Sequence, residues 1–175
     1  MKNDLLTEIN DISKTNRELS RDEIATILKR VEDYFNDDSN ISKEELAHVI
    51  IDLIMSNKMS IEILSEVSPC INNFYSSFLI IHYISFEFEN RIDSGVTLEN
   101  ELKELLLQYK SFLENEDNQY FVHIYPSKIT NLNKRIINYL DKKTILGPTH
   151  RENIQDDSVF ELINSITNDV SRKLS

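Results

Sequence analysis

An all-α fold is predicted by two features of this 175-residue sequence: glycine and proline are scarce, and helix start signals precede apolar residues at helical spacing. The chain holds only two glycines and three prolines. Hairpin-rich folds need residues with positive φ at most turns, so this composition favours helices joined by short polar loops. The length and an apolar content of 40% predict one helical domain, residues 1–175, with a single core.

The helix start signals recur along the chain. Ser20 with Glu23, and Ser42 with Glu45, have the spacing of capping boxes. The first box precedes a series of apolar residues that share one helix face: Ile24, Ile27, Leu28, Val31, Tyr34 and Phe35. Such spacing is typical of an amphipathic helix. Further helices are predicted after Ser60, Thr97, Ser127 and Asp157.

A long central helix is predicted from about Pro69 to Arg91, because proline fits the first helical turn. Its broad apolar stripe comprises Phe74, Phe78, Ile81, Ile84 and Phe88. Residues 84–89 also alternate like a strand, but a lone strand is unstable and helix is favoured. Residues 119–125 are rich in aromatic and β-branched types, which predicts a short extended segment with helix as the alternative. The expected fold is a bundle, or a short array of stacked helix hairpins, of seven to eight helices.

Charge and composition restrict the function. The net charge is −11, although residues 118–151 carry six basic side chains and one acidic one. The overall field disfavours nucleic-acid binding and attracts a basic partner. The single cysteine, Cys70, excludes an internal disulfide. The start of the chain has no apolar stretch long enough for a signal peptide. The apolar run at 78–81 is too short to span a membrane. A cytoplasmic protein without membrane contact is expected.

Three candidate reactive or charged features have simpler interpretations. Glu45 and His48 have the spacing of a di-metal ligand pair, but the second such pair is missing, so a capped helix with a partly exposed histidine is favoured. Cys70 with His82 or His123 could form a nucleophilic site, but a core cysteine is favoured. The basic region at residues 128–151 could contact an acidic partner or nucleic acid, but pairing with the protein's own acidic surface, or plain solvation, is favoured. We therefore predict no enzyme, catalytic residue, metal or cofactor.

The acidic clusters favour a protein-binding function. Carboxylates near aromatic side chains form a plausible interface with a basic protein, because charges set association rate and aromatics supply binding energy. The predicted partner-binding residues are Glu32, Asp33, Asp37, Asp38, Glu114, Glu116, Asp117 and Tyr120. Burial of the neighbouring aromatic side chains in the core is an equally good interpretation.

The leading hypothesis from these features is a non-enzymatic inhibitor that neutralises a basic toxin, for example a nuclease, by covering its active surface. Bacterial immunity proteins share this profile of size, acidity and location; the likeness is one of profile, and no residue motif carries it. The alternatives are a scaffold or regulatory adaptor that binds a peptide in a groove, and an enzyme centred on His48, His82 or Cys70. The partner, the oligomeric state and the cluster that forms the interface are left open.

Overall fold

The computed structural model describes residues 2–38, 43–92, 99–145 and 157–174, which form nine α-helices and no strand. The helices are α1 (Lys2–Ser13), α2 (Arg21–Asn36), α3 (Glu44–Met55), α4 (Ile61–Val67), α5 (Pro69–Glu87), α6 (Glu99–Glu114), α7 (Gln119–Ile124), α8 (Pro126–Ile145) and α9 (Asp157–Leu174). A π-helical turn, Phe88–Ile92, follows α5, and a 3-10 turn, Glu116–Asn118, precedes α7. The predicted all-α fold is confirmed, although these residues hold nine helices where seven to eight were predicted.

The chain divides into two compact units, residues 1–76 and 77–175, and the division falls within α5. In the first unit α1 packs against α3, and α2 packs against α4. In the second unit α9 packs against α6 and α8, and α7 packs against α8. The expectation of one domain stays a prediction. None of the helices in the described ranges combines the length and the apolar character needed to cross a bilayer.

Helix α2 begins where the sequence predicts it. The Ser20 Oγ accepts a hydrogen bond from the backbone N–H of Glu23 at 3.3 Å, and the Glu23 carboxylate accepts one from the Ser20 N–H at 3.2 Å. The guanidinium of Arg17 donates two further bonds to the same carboxylate, at 2.8 and 2.7 Å. The Arg17 bonds, assisted by the Ser20 amide, lower the pKa of Glu23 to about 2.

Replacement of Glu23 by glutamine is expected to destabilise the protein at neutral pH, with a difference from wild type that shrinks in acid. The pKa of Glu23 is about 2 in the fold against an ordinary value of 4.5, so its stabilising effect is complete above pH 4.5 and is lost as the pH falls towards 2. Glutamine keeps the capping geometry and removes only the charge. Urea unfolding of both proteins across this range measures the effect. The exposed control is Glu18→Gln. If the stability difference from wild type had the same pH dependence in Glu23→Gln as in this control, the prediction would be contradicted.

Helix α1 was not predicted from the sequence. Leu5 and Ile9, four residues apart, are buried in the first unit, where α1 packs against α3. Arg30 on α2 reaches the carboxylate of Glu8 at 2.5 Å. A buried pair at i and i+4 occupies one narrow helix face, so this helix depends on tertiary packing more than on a strong sequence pattern.

The predicted extended segment at residues 119–125 is wrong, because residues 119–124 form helix α7. Phe121, Val122 and Ile124 are buried, and their spacing places them on the inner side of one short helix. Gln119 donates a side-chain hydrogen bond to the carbonyl of Leu113 at 3.1 Å, which ties the start of α7 to the end of α6. Burial against these neighbours outweighs the intrinsic β-propensity of the segment. The favoured helical interpretation of residues 84–89 is confirmed, since α5 continues into the π-helical turn.

Candidate protein-interaction surface

Four of the predicted partner-binding residues surround the end of α2. We refer to Glu32, Asp33, Asp37 and Asp38 as the α2 cluster. Asp33, Asp37 and Asp38 are exposed, whereas Glu32 is half-buried. Three of the four carboxylates are therefore accessible at the surface of the first unit.

Glu32 already has a contact inside the first unit. Its carboxylate accepts a hydrogen bond from the Ser68 hydroxyl. The Ser68 Oγ in turn accepts a bond from the backbone N–H of Ile71 at 3.3 Å, just after Pro69 begins α5. Glu32 thereby holds the residue that caps α5, so its carboxylate has a structural role beside any role in binding.

A buried lysine offsets the unfavourable position of the α2 cluster. Acidic side chains at the C-terminal end of a helix oppose the helix dipole. The Lys43 side chain is buried, and its ammonium donates a hydrogen bond to the carbonyl of Phe35 in the last turn of α2 at 2.5 Å. Lys43 is also the N-cap residue of α3 and makes no side-chain cap bond there, while the predicted cap Ser42 lies outside the described residues. This cation supplies the compensation that the acids at the end of α2 need.

The second group of predicted residues lies where α6 ends. Glu114, Glu116 and Asp117, which we call the acidic turn, are all exposed. The Lys110 ammonium lies 3.2 Å from the Glu114 carboxylate and 3.5 Å from that of Asp169 on α9. Because Lys110 is shared between two carboxylates, the turn keeps an excess of negative charge at the surface.

Two asparagine side chains, one exposed and one buried, fix the shape of the acidic turn. The Asn115 Oδ1 accepts a hydrogen bond from the backbone N–H of Asp117 at 3.0 Å. Asn118 is buried: its Oδ1 accepts a bond from the Ser77 hydroxyl at 2.7 Å, and its Nδ2 donates to the Phe112 carbonyl at 3.0 Å. The two buried hydrogen bonds of Asn118 anchor the turn to Ser77 and Phe112. The carboxylates are therefore held in one arrangement before a partner binds, which lowers the entropy lost on binding.

The aromatic side chains beside the acidic turn belong largely to the core. Phe121 is fully buried, and its ring lies 6.2 Å from the ring of Phe112 and 6.4 Å from that of Phe78. Tyr125 is half-buried and stacks on Phe121 at 5.9 Å. Tyr120 is also half-buried. Of the aromatic residues named from the sequence, none is a fully exposed anchor, and Phe121 is unavailable to a partner.

Exposed apolar side chains that the sequence did not single out lie beside the acidic turn. Ile80 on α5 is 46% exposed and Leu107 on α6 is 48% exposed. They line an open groove of about 470 Å³, with Glu104 towards one end and Asn115 at the other. A smaller depression of about 150 Å³ shares Glu104 and adds Tyr83, which is 51% exposed. We call this continuous surface the α5–α6 groove.

The α5–α6 groove could not be predicted from the sequence, because α5 is apolar around most of its circumference and the pattern does not show which apolar residues face outward. The residues of the predicted stripe are buried as expected: Phe74, Phe78, Ile81, Ile84 and Phe88. The apolar run at 78–81 contains consecutive residues, and consecutive residues on a helix point in different directions. One helix face could not bury all four, and this run was the available signal that some would face outward.

The reactive residues weighed from the sequence lie on α3, α5 and α7. Glu45 and His48 are exposed on α3, and the nearest carboxylate recorded for the His48 ring is Asp52, with 3.5 Å between Nε2 and Oδ2. Cys70 is half-buried in the first turn of α5, and the His82 ring stacks on Phe78 at 5.1 Å. Within the described residues, no three histidine, cysteine or acidic side chains converge as metal ligands would.

Comparison with known proteins identifies no relative of this chain. No protein-family model matches the sequence, no curated protein matches it, and no solved structure matches its fold.

Proposed function

We propose that this protein is a non-enzymatic inhibitor that binds a basic protein and covers its active surface, as immunity proteins do with toxin nucleases. One observation carries the proposal: the three exposed carboxylates of the acidic turn adjoin an open apolar groove. Asn115 lines that groove, and Glu114 and Glu116 flank Asn115 in the chain. Charge and apolar area at one place are the combination that protein interfaces use.

The two parts of this surface have different tasks in the proposed mechanism. The net charge of −11 steers a basic partner towards the protein and raises the association rate. The carboxylates of the acidic turn then occupy positions that phosphate groups of a substrate would take on a nuclease. Burial of Ile80 and Leu107 slows dissociation, because apolar contacts shielded from water supply most of the binding energy.

The proposal retains three expectations from the sequence. The protein acts in the cytoplasm, with neither nucleic acid nor membrane as its partner. Its helices form one domain, as a bundle or as a short array of stacked helix hairpins. It needs no cofactor, since it acts by occlusion. These expectations stay predictions, and the oligomeric state is open.

Reversal of the charge in the acidic turn is expected to slow association with the partner about tenfold or more at low salt. The variant is Glu114→Lys, Glu116→Lys and Asp117→Lys, and the partner to try first is the basic product of the gene adjacent in the native locus. Electrostatic steering weakens as ionic strength rises, so the difference in association rate between the variant and wild type should become smaller as salt is added. Stopped-flow or surface-based kinetics at two salt concentrations measures it.

The matched control reverses three exposed carboxylates outside both clusters, Asp11, Glu18 and Glu161, and changes the net charge equally. A further variant, Asp37→Lys with Asp38→Lys, tests the α2 cluster in the same assay. Equal slowing by the control variant would show that only the overall charge matters. Salt-independent association, with no effect of either cluster, would refute the electrostatic inhibitor.

The α5–α6 groove also supports a second candidate function, that of an adaptor which holds a peptide. The side chains of Ile80, Tyr83 and Leu107 offer apolar contacts that an amphipathic peptide could cover. Binding of this kind should change little with salt and should fail in Leu107→Lys, while the acidic-turn reversal should leave it nearly intact. The salt dependence therefore separates the adaptor from the inhibitor.

A further inference from the structure

A depression between α5 and α8 is lined by basic residues, although the net charge of the protein is −11. It measures about 450 Å³, and none of the described residues that line it is acidic. Its polar lining consists of three cations and four neutral hydrogen-bonding side chains: Lys128, Lys134, Arg135, Ser85, Tyr125, Ser127 and Asn131. Three cationic residues thus line one concave site in a protein with 30 acidic and 19 basic residues.

Aromatic rings and helix geometry position these cations. The Lys128 ammonium lies 5.5 Å from the ring centre of Phe78 and 5.9 Å from that of Tyr125, and the side chain is half-buried. Cation–π contacts of this kind hold an ammonium in place without neutralising it. Lys128 and Arg135 lie seven residues apart, so they occupy the same face of α8 two turns apart.

The acidic surface of the protein itself does not account for the site. Arg135 pairs with Glu89 at 3.2 Å, and both side chains are exposed. In the described ranges, neither Lys128 nor Lys134 forms an ion pair with a carboxylate. Neighbouring like charges repel each other, and a bound anion would relieve that repulsion. Among the three cations that line the depression, Arg135 meets the expectation of pairing with the protein's own acids, whereas the side chains of Lys142, Lys143 and Arg151 lie outside the described part of the chain.

We propose that this depression binds a small anion that carries at least two phosphate or carboxylate groups. Its volume falls within the range of small-molecule sites, about 300–1,000 Å³. Hydroxyl and amide groups beside the cations supply further hydrogen-bond donors for anionic oxygens. A long polyanion such as nucleic acid would extend over the acidic surface and be repelled, whereas a small ligand feels mainly the local charge. The site is separate from the acidic turn and does not depend on the proposed inhibitor function.

Titration of the ¹⁵N-labelled full chain with inorganic pyrophosphate at low salt tests the proposal. Saturable amide shifts are expected around Ser85 and across Tyr125–Arg135, and a parallel titration with citrate distinguishes a phosphate site from a general anion site. Lys128→Met, which removes the charge and keeps an unbranched side chain, and Lys134→Gln should each weaken binding roughly three- to tenfold. Absence of saturable shifts with both anions would overturn the proposal.

Two further variants make the test specific. Glu89→Gln removes the carboxylate that competes for Arg135, so it is expected to strengthen binding several-fold. Lys29→Gln removes an exposed cation on α2, outside the depression, and should leave binding unchanged. If Lys29→Gln weakened binding as much as Lys134→Gln, the anion would be responding to net charge and the site would not exist. If Glu89→Gln weakened binding, Arg135 would not be a ligand for the anion, which would overturn the site as described.

Discussion

Replacing Phe121 by alanine is expected to lower the free energy of unfolding by about 3–5 kcal/mol. The Phe121 ring is fully buried and lies within 6.4 Å of three other aromatic rings, those of Phe78, Phe112 and Tyr125. Alanine would lose the transfer free energy of the ring and leave a cavity among groups from α5, α6 and α7, which the surrounding helices can fill only in part. Denaturant unfolding monitored by circular dichroism measures the change.

The same substitution at Phe86 is the matched control. Phe86 is 56% exposed on α5, so Phe86→Ala should change stability by no more than about 0.5 kcal/mol. A small loss at Phe121, similar to that at Phe86, would contradict the burial of α7. It would also reopen the interpretation of Phe121 as a surface anchor for a partner.

The helix that contains Phe121 could not be predicted from the local sequence. Residues 119–125 have the composition of a strand, yet residues 119–124 form a helix because a capped turn and buried side chains favour it. Local propensity is a weak preference, worth less than the burial of one aromatic ring. A contact such as that of Phe121 with Phe78 joins residues 43 positions apart, and no local pattern in the sequence records it.

Elements with strong local signals were predictable. Ser20 and Glu23 carry the complete start signal of α2, and the buried residues Ile24, Ile27 and Val31 follow the helical period. Pro69 likewise begins α5 as expected. In these cases the start signal of the helix lies within one or two helical turns, so the local sequence is enough to predict where the helix begins.

The candidate interaction surface was predictable only in part. The exposure of Asp37, Asp38 and Glu116 follows from their charge, because ionised side chains are rarely buried without a partner. The engagement of Glu32 by Ser68, 36 positions away, and the outward direction of Ile80 depend on which helices pack together. One sequence holds no direct record of that packing.

Replacing Asn118 by alanine is expected to lower the free energy of unfolding by about 2–3 kcal/mol. The substitution removes the acceptor of the Ser77 hydroxyl and the donor to the Phe112 carbonyl, and both Asn118 and Ser77 are buried. Leaving a buried hydroxyl without a hydrogen-bond partner lowers the free energy of unfolding by more than the hydrogen bond itself contributed. Asn115→Ala, which removes one exposed bond from the same turn, is the control and should cost about 1 kcal/mol or less.

Asn118→Ala also separates the shape of the acidic turn from its charge, because the substitution leaves the net charge unchanged. If the inhibitor proposal holds, association with a basic partner should keep its salt dependence, since steering depends on charge. The complex should nevertheless dissociate faster, because a turn released from Ser77 and Phe112 must be ordered on binding. Dissociation rates measured under conditions where both proteins are fully folded give the comparison. Equal dissociation rates would show that the carboxylates act only through their charge, and that the buried amide serves stability alone.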